Sequence, residues 1–375
     1  MERTSVIIPT FNRADLLAEA VESVLAQTFQ PGEIIIADDG SSDHTSEVAA
    51  RFSNHVRYVH KENSGKADTL NTIIPTCQHP LIWIMDDDDI AAETALEALT
   101  KPLDGRPHIG LSYGRYKRFE VDPASGDKRF FDCGFWSECE PDAFFATTLE
   151  DFFVHHPGML VRKSVYEKAG PFSTKYPRLE DYEMLVRLAR ITQVAQTDEC
   201  VFYQRQHDGD RVGGLAASNR TQRWIDEEKD FFIELHSASS LCDFLPGDTP
   251  AFSMDCEKTR EALIRRACVM ARKKLWDLAF DDFEIAIAQT DAPECLTEQE
   301  TNAIRRALFS KYGNLEVIND AVIAQRLTEL SQNGPVGRAI AKAFARAMLF
   351  FIRTNLQSQN WMTTWKYARL TLKLL

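Results

Sequence analysis

The sequence predicts an α/β domain built on a mainly parallel sheet, followed by an all-α domain. Two observations support this prediction. In the first part of the chain, short apolar runs rich in β-branched residues alternate with segments of helical spacing, a pattern typical of a parallel sheet covered by helices. Beyond residue 250, strand patterns nearly vanish and helical spacing prevails.

Each predicted strand is an apolar run followed by a helical segment. In the first helical segment, for example, Leu17, Val21 and Val24 share one face. After the fourth strand the pattern loosens, and residues 120–145 predict a β-ribbon with loops. The predicted strands cover 4–9, 33–37, 56–59 and 81–85, and the predicted helices cover 14–28, 41–51, 66–75, 93–99 and 179–191.

A polar break at 245–250, Leu-Pro-Gly-Asp-Thr-Pro, separates the two predicted domains. We therefore expect a first domain over 1–240 and a helical domain over 251–375. Similar Trp-containing segments begin at Leu275 and Asn360, which indicates either tetratricopeptide-like hairpins or a generic helical bundle. The segments of helical spacing in this second domain are 257–289, 298–312, 319–331 and 337–375.

The composition excludes some classes of protein. The formal net charge is −13, whereas nucleic-acid-binding enzymes are usually basic, so we expect no nucleic-acid partner. Eight cysteines form no C-x-x-C pair, which is typical of free thiols in a reducing compartment. The sequence shows neither a signal-peptide pattern nor an apolar run long enough to span a bilayer. We expect a cytoplasmic protein, with at most peripheral membrane contact.

The charge is unevenly distributed along the chain. Residues 330–375 contain no Asp or Glu, and an apolar face at helical spacing runs from Ala339 to Ile352. This pattern predicts either docking of 330–375 onto an anionic membrane, a lipid-linked acceptor or a partner protein, or packing of the face inside the helical domain. The seven basic residues of this stretch are Arg338, Lys342, Arg346, Arg353, Lys366, Arg369 and Lys373.

Three acidic groups lie where such a sheet would bind its ligand, beyond the carboxyl ends of its strands. Asp38-Asp39 follows the second predicted strand, Asp86–Asp89 follows the fourth, and Glu180-Asp181 begins a predicted helix. Four adjacent aspartates repel one another, so they need a compensating cation or raised pKa values. Carboxylate oxygens suit Mg²⁺ or Mn²⁺ bridging to a diphosphate. A solvated acidic turn is the alternative.

Four segments together resemble family 2 glycosyltransferases of the GT-A fold. SVIIPTFNRADLLAEAVESVLAQTF resembles the opening strand and helix of that family, and IIIADDGSSDHT resembles its nucleotide-binding turn. IMDDDDI resembles its D-x-D metal site, and LEDYEMLVRLAR resembles its catalytic E-D helix. The resemblance covers about residues 3–235 and implies a Rossmann-like domain. It also implies an inverting transferase that uses a nucleotide-diphosphate sugar with Mg²⁺ or Mn²⁺.

The resemblance implies roles for the nucleotide-binding residues. Asp39 corresponds to the carboxylate that accepts the N3–H of uracil, which favours a UDP-sugar, although thymine presents the same donor. Asp38 is expected to stabilise the turn. Lys66 is expected to face the nucleotide, with a solvated surface lysine as the alternative. The nucleotide-sugar contacts that the resemblance implies are Pro9, Thr10, Asn12, Asp38, Asp39, Lys66, Asp86 and Asp87.

The resemblance also implies the metal ligands. Asp88 would ligate the metal directly, and Asp86 would contact the ribose or reach the metal through water. Asp87 or Asp89 could instead cap the following helix. His207 stands where the family often places a histidine that contacts the metal or phosphate, with Arg205 and Arg211 as neighbours that could neutralise phosphate charge.

The resemblance assigns catalysis to the Glu180-Asp181 pair, with Asp181 as the general base that deprotonates the acceptor hydroxyl. A single displacement then inverts the anomeric carbon. The alternative is a pair of acidic residues that stabilises the first turn of a helix. Processive synthases of this family carry Q-x-x-R-W, and Arg220 stands at the Gln position here, so we expect transfer of single sugars. The expected acceptor is a carbohydrate, such as a surface glycan, or a lipid-linked hydroxyl. Candidate acceptor-side residues are Phe135, Trp136, His155 and His156.

Three rival classes fit less well. A sugar-phosphate nucleotidyltransferase needs a Gly-rich loop after the first strand, where this chain has Thr-Phe-Asn-Arg. A receiver-like signalling module has no place for the E-D helix. A catalytically inactive nucleotide-sugar-binding protein would not need both Asp88 and Asp181.

Overall fold

The computed structural model describes residues 2–206, 217–247, 254–289 and 292–375. The chain forms two compact units, one of residues 1–144 with 152–227 and the other of residues 145–151 with 228–375. The division falls inside the helix Ala217–Ala238, ahead of the polar segment at 245–250 from which the sequence predicted a boundary.

The first unit is built on one sheet of nine strands within the described residues. The predicted strands appear nearly as expected. Those predicted at 4–9, 33–37 and 81–85 are apolar runs buried on both faces, whereas the strand predicted at 56–59 is half-buried. The strands are β1 (Thr4–Thr10), β2 (Glu33–Asp38), β3 (Arg57–His60), β4 (Leu81–Ile84), β5 (Ile90–Ala91), β6 (Ile109–Val121), β7 (Lys128–Phe131), β8 (Met159–Arg162) and β9 (Gln193–Arg205).

Helices connect these strands and make up most of the second unit. In chain order, the helices up to the unit boundary are α1 (Ala14–Leu25), α2 (Thr45–Arg51), α3 (Lys66–Ile73), α4 (Ala95–Thr100), α5 (Phe144–Glu150), α6 (Lys163–Ala169), α7 (Glu180–Ile191) and α8 (Ala217–Ala238). Those beyond it are α9 (Cys256–Arg272), α10 (Trp276–Ile287), α11 (Glu298–Arg306), α12 (Glu316–Asn319), α13 (Ala321–Leu330), α14 (Gly334–Gln357) and α15 (Trp361–Leu374).

The sheet is mixed. Its strand order is β3-β2-β1-β4-β8-β6-β9-β5, with β7 on β6. The first four strands run parallel, as does the β6–β9 pair. The pairings of β8 with β4 and β6, of β5 with β9 and of β7 with β6 are antiparallel. The predicted α/β fold followed by a helical region is confirmed, and the parallel pairings are those among β1–β4 and that of β6 with β9.

The register of the parallel strands brings the predicted site segments to one edge of the sheet. Thr10 lies opposite Asp38, and Ile84 lies opposite Ile7. The chain leaves β4 with the Met85 N–H donating to the Ile7 carbonyl, one residue before Asp86. The ends of β1, β2 and β4 therefore meet at the same edge, where parallel sheets bind ligands.

In the second unit, two long predicted helical segments are each split in two. Residues 257–289 form α9 and α10, and residues 337–375 lie mostly in α14 and α15. The breaks fall beside Lys274 and Gln359, whose φ angles are 63° and 57°. A residue in the left-handed conformation ends a helix. Because neither residue is Gly or Pro, the sequence contained no local indication of these breaks.

The apolar face of α14 packs inside the second unit. Ile340, Phe344 and Met348 are fully buried, and Phe344 contacts Trp276 and Phe283 on α10. Of the two alternatives predicted for this face, docking or packing inside the helical domain, the structure shows packing. Within the described residues, no helix is long and apolar enough to cross a membrane.

A fully buried ion pair also stabilises the second unit. The guanidinium of Arg260 donates to both carboxylate oxygens of Glu300, at 2.8 and 3.0 Å. Glu300 also accepts the Thr297 N–H in a capping box at the start of α11. Both charges are therefore satisfied, which burial requires.

Candidate active site

The loop after β1 is tied to the turn after β2 through Asn12. The Asn12 side-chain oxygen accepts the Ser42 N–H at 2.8 Å, and the Asn12 N–H donates to the Ser41 hydroxyl at 2.9 Å. Asn12 has a φ of 52°, a conformation that Asn tolerates better than most residues. The structure therefore gives Asn12 a loop-shaping role next to Pro9 and Thr10, the buried last residues of β1.

Asp38 holds the turn after β2. Its buried carboxylate accepts from the Ser41 N–H at 2.8 Å, the Tyr58 hydroxyl at 2.5 Å and His60 Nδ1 at 3.0 Å. Burial acts to raise the pKa of Asp38, but these hydrogen bonds more than offset it, and the pKa lies below its ordinary value. This geometry supports the expected turn-stabilising role.

Asp39 organises the segment between β3 and α3. One carboxylate oxygen accepts from Lys61 Nζ at 2.9 Å, the Ser64 N–H at 3.0 Å and the Thr69 hydroxyl at 2.9 Å. The other accepts the Gly65 N–H at 2.8 Å. Gly65 has a φ of 95°, a conformation that side-chain-bearing residues avoid. Asp39 thus positions the loop that leads directly into Lys66.

Lys66 and Arg13 pair with three of the four aspartates after β4. Lys66 Nζ lies 2.6 Å from Asp86 Oδ1. Arg13 Nη1 lies 2.9 Å from one oxygen each of Asp87 and Asp88. From the sequence we assigned no role to Arg13. The only indication of one was its position just after β1, a strand that pairs with β4.

Asp89 is held by the end of β9. It accepts the Arg205 N–H at 2.9 Å, and the Asp88 carbonyl accepts Arg205 Nε at 2.9 Å. The Arg205 guanidinium also pairs with Glu19 and lies 4.6 Å from the Phe119 ring. Arg205 therefore supports the aspartate run, whereas its predicted neighbours His207 and Arg211 lie outside the described residues.

Three of these aspartates could hold a metal ion. Asp86, Asp88 and Asp89 each bring a carboxylate oxygen within 4.8 Å of the others. Such an all-oxygen set suits a hard divalent cation. Asp88 belongs to this group, as the resemblance implied, and Asp89 joins it. Asp87 points its carboxylate to Arg13 instead.

Burial and neighbouring charge set the pKa values of this run. Burial raises the pKa of Asp87 to about 6, although Arg13 acts in the opposite direction. Burial would also raise the pKa of Asp86, but Lys66 more than compensates and the pKa is lowered. Adjacent carboxyl groups thus differ in their tendency to ionise because each has a different cation beside it.

The Glu180-Asp181 pair begins α7. Glu180 is buried, and its Oε2 has no hydrogen-bond partner among the described residues. Burial, reinforced by the charge of Asp181, raises the pKa of Glu180 to about 8. Asp181 is only half-buried, and it accepts the Tyr182 N–H at 2.8 Å. The two carboxyl groups therefore have different environments, which suits them to different roles.

Lys66 connects the aspartate run electrostatically with the Glu180-Asp181 pair. Burial acts to lower the pKa of Lys66, but the carboxylates of Asp86, Glu180 and Asp181 outweigh it, and the pKa is raised. Lys66 is therefore a charged residue inside the site, and the alternative of a solvated surface lysine does not describe it.

His156 lies in the turn before β8. Its ring is buried, neither ring nitrogen has a hydrogen-bond partner among the described residues, and it packs edge-on against Phe172. Burial, together with the charge of Lys66, lowers the pKa of His156 to about 3. His156 is therefore a neutral imidazole close enough to Lys66 and Asp86 to feel their charges.

Two of the other acceptor-side candidates, Trp136 and His155, belong to an aromatic cluster. Trp136 packs against Tyr113 and Tyr116, and Arg115 lies 5.4 Å from its ring. His155 packs edge-on against Tyr116 at 5.1 Å. The structure thus brings Trp136 and His155 into one cluster around Tyr116.

Comparison with known proteins agrees with this fold. Residues 5–170 match the model of the family described as Glycosyl transferase family 2. Glycosyltransferase GlyG of Streptococcus pneumoniae is 31% identical over 45% of this chain and 51% of its own length. An uncharacterized glycosyltransferase of Rickettsia felis is 26% identical over 58% of this chain and 36% of its own length. This chain therefore spans about a third to a half of these relatives.

Solved structures show the same fold at low sequence identity. Residues 1–349 of S. aureus TarS, in complex with UDP-GlcNAc, superpose with a TM-score of 0.53 and 16% identity, covering 88% of this chain and 91% of that one. The mannosyltransferase PcManGT from Pyrobaculum calidifontis, in complex with GDP-Man and Mn²⁺, gives a TM-score of 0.50 and 18% identity over 76% and 75% of the two chains.

The mixed sheet, the aspartate run at its edge and these matches define a glycosyltransferase domain of the GT-A class. Residues 5–170 match the model of glycosyl transferase family 2, and a helical region follows this domain. The resemblance inferred from the four sequence motifs is confirmed at this level.

Proposed function

We propose that the first unit transfers a single sugar from a UDP-sugar to a hydroxyl acceptor, with inversion and with a divalent cation as cofactor. One observation carries the proposal. Asp86 of the aspartate run forms an ion pair with Lys66, and the charges of Glu180 and Asp181 also act on Lys66, which supports one site that contains both sets of carboxylates. A metal-dependent displacement needs both sets.

Asp86, Asp88 and Asp89 are the residues proposed to hold the cation. Their oxygens form the close group described above, and oxygen ligands fit Mg²⁺ or Mn²⁺. When bound, the cation would supply Lewis-acid stabilisation to the leaving diphosphate. Arg13 pairs with Asp87 and Asp88 and holds the run in place beside β1.

Asp181 is proposed as the general base. It is more exposed than Glu180, so its carboxylate can reach an acceptor hydroxyl. The hydroxyl oxygen would bond to the anomeric carbon as the bond from that carbon to the diphosphate oxygen breaks, and Asp181 would take the hydroxyl proton. One displacement of this kind inverts the anomeric centre. Glu180, whose pKa is about 8, would stay protonated at neutral pH and could donate a hydrogen bond.

Asp39 is proposed to recognise uracil. Its Oδ2 accepts the Gly65 N–H, and a carboxylate oxygen can accept a second donor such as the uracil N3–H. TarS, a neighbour in fold, has been solved with UDP-GlcNAc, whereas PcManGT has been solved with GDP-Man. Guanine also presents N–H donors, so the donor base must be tested directly.

The test is a donor screen with the purified chain. We expect Mn²⁺-dependent release of UDP from at least one UDP-sugar, with no release of GDP from GDP-sugars. Hydrolysis of GDP-sugars alone would contradict the role of Asp39 while leaving the transferase intact. Binding of UDP-sugars without turnover, with or without added glycans, would support the inactive binding protein instead.

A further inference from the structure

The last helix, α15, has two different faces. Its inner face packs within the second unit: Tyr367, Leu370 and Leu374 are buried, and Tyr367 stacks on Phe351 of α14 with ring centroids 5.5 Å apart. The Tyr367 hydroxyl also donates to the side-chain oxygen of Asn314. Because this face is anchored, the orientation of the opposite face is fixed.

The outer face carries large apolar side chains that nothing in the described chain covers. Trp361, Trp365 and Leu372 are spaced four and seven residues apart, so they share one side of the helix, and Met362 lies beside them. Their exposed fractions are 67% for Trp361, 70% for Met362, 59% for Trp365 and 77% for Leu372.

Basic residues border this apolar stripe. Arg369 and Lys373 are exposed, and the Arg369 guanidinium lies 5.3 Å from the Trp365 ring. Lys366 is half-buried and donates to Asn319 at 2.7 Å. No acidic residue occurs anywhere in 330–375, although the chain as a whole carries a net charge of −13. The surface therefore combines exposed indole rings with two exposed cations.

We propose that this surface, the α15 face (Trp361, Met362, Trp365, Arg369, Leu372 and Lys373), docks onto an anionic lipid surface. Indole rings prefer the boundary between headgroups and acyl chains, where the apolar ring is buried and the N–H stays hydrated. Arg and Lys beside them are attracted to anionic headgroups, each strengthening binding about fivefold. The helix lies in the plane of the membrane and does not cross it.

A second copy of the chain fits this face poorly. A twofold-symmetric interface places the same patch on both partners, so Arg369 and Lys373 would meet Arg369 and Lys373. With no carboxylate in 330–375, such an interface would bring like charges together. Charge complementarity therefore favours an anionic lipid surface over a second copy of the chain. This proposal does not depend on the proposed donor or mechanism.

The test is flotation of the full chain with two kinds of vesicle, one of phosphatidylcholine and one of phosphatidylcholine mixed equally with phosphatidylglycerol. We expect flotation with the anionic vesicles at low salt, at least about tenfold weaker binding in ~0.5 M salt, and little flotation with neutral vesicles. W361A/W365A/L372A and, separately, R369E/K373E should each reduce binding at least about tenfold.

The matched control is V322A/I285A, which removes exposed apolar side chains elsewhere in the second unit and should float like the unaltered chain. Unchanged melting temperatures show that all variants fold. Failure of the unaltered chain to float, or equal flotation of the α15 variants, would overturn the proposal. So would concentration-dependent dimerisation that W361A/W365A/L372A abolishes, without vesicle binding, since the α15 face would then be a protein interface.

Discussion

Lys66 Nζ lies 2.6 Å from Asp86 Oδ1, and the charges of Glu180 and Asp181 also act on this lysine. One half-buried cation therefore joins the aspartate run after β4 to the acidic start of α7. Lys66 begins α3 directly after Gly65, whose N–H donates to Asp39. The loop that Asp39 holds therefore positions Lys66.

Activity should depend on a divalent cation held by Asp88. We expect excess EDTA to abolish UDP release and D88N to raise the Mn²⁺ concentration needed for half-maximal activity by at least about tenfold. The control is D87N, which removes the same charge one residue away but leaves the group of Asp86, Asp88 and Asp89 intact. Full activity in EDTA would disprove metal dependence.

Asp181 should act on the acceptor and not on the nucleotide. D181N is expected to lower turnover by roughly 10²–10⁴-fold, the usual contribution of a general base, with UDP affinity nearly unchanged by calorimetry. E180Q keeps a neutral, hydrogen-bonding side chain, so it should lose much less. Weaker UDP binding in D181N, with normal turnover per bound donor, would move Asp181 into the nucleotide site.

Glu180 should make the stability of the fold fall as pH rises. Its folded pKa of about 8 lies above the ordinary value of 4.5, so between these values the folded state keeps a proton that the unfolded state has lost. The contribution of Glu180 is therefore fully present below pH 4.5 and lost as pH rises through about 8. E180Q cannot ionise, and its free energy of unfolding should fall less over this range. Parallel urea-unfolding profiles for the two proteins would contradict the raised pKa.

Removing Asp39 should weaken UDP binding and loosen the loop before α3. D39A leaves the Ser64 and Gly65 N–H groups without their acceptor, which should cost about 1–3 kcal/mol in the free energy of unfolding. Asp68 lies in the first turn of α3 and its side chain is 43% exposed, so D68A should have little effect on either property. Normal UDP affinity in D39A would exclude Asp39 from base recognition.

Breaking the Arg260–Glu300 pair should destabilise the second unit. Both side chains are fully buried, so E300Q leaves a buried guanidinium without its counter-charge, at a cost of about 3–5 kcal/mol. E261Q, which alters the more exposed Glu261–Arg265 pair, should cost less than about 1 kcal/mol. Thermal unfolding of the two variants makes the comparison, and equal losses would show that burial is not the cause.

Local patterns predicted the first half of the α/β unit well. The strands expected at 4–9, 33–37, 56–59 and 81–85 appear within a residue or so of those positions, because β-branched apolar runs bounded by polar residues have few other stable arrangements. The long β6–β9 pairing was not predicted. It joins residues about eighty positions apart, and nothing in either segment alone specifies its partner.

The sequence by itself determined the α/β fold, the family and the acidic groups of the site, since strand periodicity and motif order are properties of the chain. Only the tertiary structure determined which charged side chains form ion pairs with one another. Arg13 reaches Asp87 and Asp88, Lys66 reaches Asp86, and His156 is buried near them because β1, β4 and β8 are neighbours in the sheet. It also decided which apolar side chains of 330–375 are exposed, since the packing of α14 against α15 buries one face of each helix.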